Sequence, residues 1–220
     1  MRKAYKLFFL DKKLLRSFLV AISLLLWSFF VNFYAGSYAN EQGSNAVTDI
    51  VLSNTSAHDV DALFIGGIIC FFVFILFWCI RYPLHTPYIL KSIALFIIIR
   101  AVFVTLTHLG PYPDSIAIIN VGLIWKINFR ADLFFSGHTG LPFLMALIFW
   151  NNKWLRYGFI FLSILFGMIV LLWHLHYSID VLSAFFITYT IHHIWEVLWK
   201  KDKSYFKNSD SIIYPHPQKS

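Results

Sequence analysis

The chain has 220 residues, 59% of them hydrophobic and 20% aromatic, with a mean hydropathy of +0.67. Charged residues make up 13%, where a soluble domain carries about a quarter. The net charge of +7 sits at the ends of apolar blocks, not on a basic surface interleaved with aromatics. That pattern excludes a nucleic-acid binder and leaves a polytopic membrane protein.

Six apolar segments follow in chain order: 14–34, 62–82, 87–107, 137–150, 154–173 and 177–199. Most approach the ~20 residues that a spanning helix needs, and the fourth is short. The expected fold is all-α, with six transmembrane helices in one bundle over 1–200 and a polar, loosely ordered cytoplasmic tail over 201–220. The first segment is long for a signal peptide and no A-x-A site follows, so it reads as a retained anchor. Cys70 and Cys79 share the second segment and read as buried thiols, not as a disulfide or metal site.

Basic residues orient the spans. Arg2, Lys3, Lys6, Lys12, Lys13 and Arg16 precede the first, and Arg81 and Lys91 flank the turn after the second. Lys153 and Arg156 follow the fourth, and Lys200, Lys201, Lys203, Lys207 and Lys219 lie past the sixth. On the other face the loops hold only Lys126 and Arg130, and the 35–61 loop is polar with Glu41, Asp49, Asp59 and Asp61. Both termini are therefore expected to be cytoplasmic.

Two stretches stand out from this apolar background. "SGHT" at 136–139 interrupts an oily run with a hydroxyl, a bare backbone and an imidazole, groups that are costly beside hydrocarbon unless something binds them. In "HLHYSID", His176 and Asp180 are four apart. If the sixth span starts near 175 they share a helix face, so Asp180 can accept Nδ1–H of His176 and leave Nε2 free. Such a histidine can act as base or nucleophile.

Depth links these residues. His138 lies ~20 Å of helix above Asn151, His176 ~24 Å above His192, and Arg100 ~20 Å above Pro87. The apolar slab is ~30 Å thick, so all three sit near the level of a phospholipid headgroup. Ser136 and Gly137 fall at a helix N-terminus that favours an anion. Gly137 allows close approach, Ser136 or Thr139 can donate a hydrogen bond, and Arg100 supplies a planar cation suited to phosphate. Asp132 is either a headgroup contact or a helix cap. His138 is placed to protonate a departing oxygen and His176 to attack phosphorus.

These residues resemble the type 2 phosphatidic acid phosphatase superfamily. "RADLFFSGHTG" and "HYSIDVLSAFF" look like the third and fourth motifs of its sphingomyelin synthase branch, and "IIIRAVFVTLTHLGP" resembles that branch's arginine-bearing third span. The resemblance covers roughly 91–186. It implies six spans, cytoplasmic termini, an exoplasmic active site, and His138 as acid, His176 as nucleophile and Asp180 as orienting partner. Its expected partners are a membrane phospholipid donor and a lipid alcohol or water as acceptor, with no cofactor and no metal. The chain departs from the pattern in two places. Val170 stands where the phosphatases carry an arginine before His176, and Val47-Thr48-Asp49 is all that remains of the synthases' Pro-rich first-loop motif.

Other readings compete. The His176–Asp180 pair could be structural, Ser136, Gly137 and Thr139 could each simply pack helices, and Arg100 could snorkel to the interface. A single strong cation suits a phosphodiester better than a doubly charged monoester, favouring headgroup transfer over phosphatase action. A lipid-binding protein without catalysis is the alternative from another class. His138, His176 and Asp180 could form a metal set on paper, but Asp180 suits the second shell and the anion-binding helix end would then be idle.

Overall fold

The computed structural model describes residues 2–113 and 133–213. Among them are eight α-helices: α1 Arg2–Leu10, α2 Lys12–Gln42, α3 Asp61–Arg81, α4 Thr86–Leu106, α5 Gly137–Ile148, α6 Lys153–Leu172, α7 Ser178–Leu198 and α8 Lys200–Ile213. No strand occurs among these residues. Helices α2, α3, α4, α6 and α7 are long and apolar enough to cross a membrane, and α5 is a shorter apolar helix of 12 residues. Large side chains such as Trp27, Phe72, Phe77, Phe161 and Phe186 point outward. An aqueous surface would penalise that display, whereas lipid is its natural solvent.

Helix α4 occupies the centre, with most of its apolar window buried. Helix α2 lies along it on a stripe of small residues, Ala21, Ser28, Ala35 and Ala39, which lets the two backbones approach closely. On the other side α5, α6 and α7 pack together around Phe96, Leu144, Phe166 and Trp195. Asp11 caps α2 by accepting the N–H groups of Lys13 and Leu14.

Two expectations change. Helix α2 runs to Gln42, about two turns past the 14–34 segment, and the loop that follows it bonds to the stretch after α4 and to the turns on either side of His176. The segment past Lys200 is not a loose tail through 213: α8 folds back and buries Asp202. Lys91 Nζ donates to Asp202 at 2.6 Å and to Ser17 at 2.8 Å, and Ser17 Oγ donates to Asp202 at 2.6 Å. Tyr205 donates to Asp11 at 2.7 Å. Composition reads this stretch as solvated because its polarity is visible and its partners, on α2 and α4, are distant in sequence.

Candidate active site

Ser136 is the N-cap of α5, and its Oγ accepts the Thr139 N–H at 3.4 Å and the Thr139 hydroxyl at 3.2 Å. Both side chains are fully buried. The Thr139 carbonyl accepts Ser163 Oγ of α6 at 2.7 Å, and Ser136 N–H donates to the Asp180 carbonyl at 3.1 Å. These bonds knit the α5 start to α6 and α7. The hydroxyls thus act first as cap and tether, and the N–H groups of Gly137 and His138 are what the first turn offers an anion. Pro142, lacking an N–H, removes the helical partner of the His138 carbonyl and loosens that turn.

Arg100 projects from α4 to the same turn. It is buried, and its Nε donates to the Phe135 carbonyl at 2.8 Å. A Cβ on Gly137 would stand 3.2 Å from Arg100 Nε and 3.7 Å from Cζ, so the bare glycine is what lets the guanidinium lie against the helix start. Gly140 is tighter still: a Cβ there would meet the Phe96 ring at 2.7 Å and Thr188 Oγ1 at 2.9 Å.

His176 stands outside α7, which begins at Ser178 with Tyr177 as N-cap. The pairing with Asp180 therefore comes from the turn into the helix, not from a shared helix face. Asp180 sits in the first turn, fully buried, with Oδ2 accepting the Tyr177 N–H at 2.9 Å and lying 3.5 Å from His176 Nδ1. The His138 and His176 rings face each other with centroids 6.0 Å apart and planes inclined by 58°. Phe64 of α3 covers His138 at 4.6 Å and meets Trp173 edge-on.

The structure thus brings together His138, His176, Asp180, Arg100 and the Ser136–Thr139 turn. Asp132, also expected at the site, lies outside the described residues. In this region, His138 Nδ1, Asp180 Oδ1 and Trp173 Nε1 are buried without a hydrogen-bond partner among the described residues, and His176 Nδ1 has only Asp180 Oδ2 near it, at 3.5 Å. Buried polar atoms are normally satisfied, so this concentration sets the region apart from the apolar core around it. No set of three His, Cys, Asp or Glu side chains among the described residues is arranged to hold a metal ion.

Sequence reasoning missed the shell that aims His176. Asp49 of the first loop accepts Ser178 N–H at 2.7 Å and Ser178 Oγ at 2.8 Å, while its other oxygen takes Val51 N–H and Leu52 N–H at 2.8 and 3.1 Å. Burial alone would raise this carboxyl, but the hydrogen bonds from Leu52, Ser178 and Val51 outweigh it and hold its pKa below the usual carboxylate value. Tyr177 donates to the Gly110 carbonyl at 2.8 Å and accepts Val47 N–H at 3.3 Å. His174 adopts a left-handed φ of 57°, is buried, and lies 3.5 Å from Thr55 and edge-on to Tyr112. Asp49 itself is the available signal, since an acid in a loop without lysine or arginine invites a search for a helix N-terminus.

No curated protein and no solved structure matches the chain. A family model described as PAP2 superfamily C-terminal matches residues 131–197, so the chain is similar to that superfamily over a stretch that holds both histidines and Asp180.

Proposed function

We propose that the protein is an integral-membrane lipid phosphotransferase that moves a phospho-headgroup between lipids, as the sphingomyelin synthase branch does, with its site on the extracytoplasmic side. The observation that carries this reading is the facing pair His138 and His176, 6.0 Å apart, with the Asp180 carboxylate 3.5 Å behind His176. That spacing accommodates one tetrahedral phosphorus between two imidazoles.

The reaction runs in two halves. The donor phosphodiester lies against Arg100 and the first N–H groups of α5, which oppose its charge. His176 Nε2 attacks phosphorus, the bond from phosphorus to the lipid oxygen breaks, and His138 gives its proton to the departing alkoxide. Asp180 holds Nδ1–H and stabilises the positive ring of the phosphohistidine. An acceptor alcohol then loses its proton to His138 and attacks phosphorus, releasing His176. With water as acceptor the same site hydrolyses a lipid phosphate.

One cation from α4 faces the site, while the other basic residue of that helix, Lys91, is engaged with Asp202 at the opposite end. This favours a singly charged diester as donor. Purified protein in vesicles with headgroup-labelled phosphatidylcholine and either ceramide or diacylglycerol tests the reading. Label in a new lipid is the expected result. Free phosphate released from phosphatidic acid assigns hydrolysis instead. Neither product across a panel of donors and acceptors leaves a non-catalytic lipid binder.

A further inference from the structure

Helix α6 ends just before the turn that carries His176, and it ends on an unexpected residue. The Leu175 N–H bonds back to the Val170 carbonyl at 2.9 Å, and the His174 N–H to the Leu171 carbonyl at 3.0 Å. This pair of bonds puts His174 at the left-handed position that closes many helices, with a φ of 57°. Glycine is the common occupant, because a Cβ crowds the backbone there. Among the described residues His174 alone has a positive φ. A histidine costs the backbone free energy at this place, so what it contributes comes from its side chain.

That side chain is 2% exposed. Its Nε2 lies 3.5 Å from Thr55 Oγ1, at the long end of hydrogen-bonding distance, and Tyr112 meets the ring edge-on with centroids 5.3 Å apart. The Thr55 hydroxyl gives its own proton to the Val51 carbonyl at 2.9 Å. It has only lone pairs left for the imidazole, so Nε2–H of His174 is the donor. His174 Nδ1 meets no donor among the described residues, which makes Thr55 the polar anchor of this ring. Tyr112 in turn meets Tyr177 edge-on at 6.0 Å, and its hydroxyl lies 3.3 Å from Ser53 Oγ. Two residues before His174, the Leu172 carbonyl accepts the His58 N–H at 2.8 Å. The first loop thus grips Leu172 and His174 on one side of His176, as it grips Tyr177 and Ser178 on the other.

We propose that His174 is a positioning residue for His176. Its buried imidazole is a wedge between Thr55 and Tyr112 that seats the first loop on the end of α6 and keeps the 172–178 stretch in one conformation. Its effect on turnover rests on the phosphotransfer reading above, whereas the wedge itself does not.

His174→Gly tests this, since glycine suits the left-handed backbone better and removes only the wedge. Steady-state headgroup transfer and amide hydrogen exchange are measured on the full-length protein in detergent. The expected kcat is lowered about 10- to 100-fold with KM within about 2-fold, because Arg100 and the start of α5 still hold the donor. Amides of 49–58 exchange roughly 10-fold faster, while those of α4 and α5 are unchanged. Thr55→Val lowers kcat about 3-fold, and H174G/T55V falls no further than H174G, as partners in one contact require. His174→Asn tolerates the left-handed conformation, keeps a polar group and falls between wild type and H174G; it carries the test if H174G does not fold. Wild-type kcat with unaltered exchange overturns the proposal. So does a loss in which kcat and KM both worsen in step with a lowered melting temperature, which assigns a structural role alone. If the wild type neither transfers nor hydrolyses any headgroup, the functional reading falls; faster exchange of 49–58 in H174G then still supports the wedge, and unchanged exchange overturns it.

Discussion

The carboxylate of Asp49 holds the backbone N–H and hydroxyl of Ser178 at 2.7 and 2.8 Å, two residues beyond His176. An acid on the first loop thereby fixes the start of α7, and with it the direction in which His176 points. The two residues are 129 positions apart, so the first loop belongs to the site although it carries none of the chemistry.

Replacing Asp49 by alanine removes this cap. The expected cost is about 1–2 kcal/mol of stability, together with reduced turnover as His176 loses its aim. Because the folded-state pKa of Asp49 is depressed, its contribution is fully present above the unfolded value of about 4 and fades as pH falls through the folded value. Thermal unfolding of wild type and D49A in detergent should therefore differ by a constant amount near neutrality and converge in acid. A gap that widens in acid would contradict the assignment.

Variants at the three proposed catalytic groups should keep the fold and lose the reaction. His176→Ala is expected to abolish headgroup transfer to background, at least about 10,000-fold. His138→Ala and Asp180→Asn should each lose roughly 100- to 10,000-fold. Labelled-headgroup transfer is the measurement, with melting temperature as control. A fully active H176A would end the histidine mechanism.

Gly140→Ala introduces a Cβ into space held by the Phe96 ring and Thr188 Oγ1, at 2.7 and 2.9 Å. Overpacking of this kind costs about 1–3 kcal/mol and pushes α5 away from α4, moving His138 relative to Arg100. Both melting temperature and turnover should fall. An unaltered enzyme would show that α4 and α5 are less tightly packed than described.

Lys91→Met leaves Asp202 buried with Ser17 but without its counter-charge, and breaking such a pair costs about 3–5 kcal/mol. The double variant K91M/D202L removes both charges and should recover most of that loss. Limited proteolysis around residues 200–213 reads the release of α8 directly. If K91M and K91M/D202L behave alike, the pair contributes nothing specific.

The parts of the site legible in sequence were those whose cost is local. A serine, glycine and histidine inside an oily run, or an aspartate four after a histidine, announce themselves because hydrocarbon penalises them wherever they fold. The spacing of His176 and Asp180 suggests a shared helix face, whereas the structure has His176 outside α7 with Asp180 Oδ2 3.5 Å from its Nδ1, since a four-residue offset fits a turn leading into a helix equally well. Ser136 and Thr139 were recognised as unusual, while their capping of α5 depends on where that helix starts. Asp49 with Ser178, and Lys91 with Asp202, were beyond reach because each pair joins residues more than a hundred positions apart with no periodicity between them.

The Lys91–Asp202 contact also sets an order of events during synthesis. Lys91 is threaded into the bilayer with α4, and its counter-charge leaves the ribosome 111 residues later. Until then an ammonium group waits at the base of a lipid-embedded helix, so the nascent chain must keep that end near the aqueous rim or beside the insertion machinery. Helix α8, made after α4, is what allows the central helix to settle.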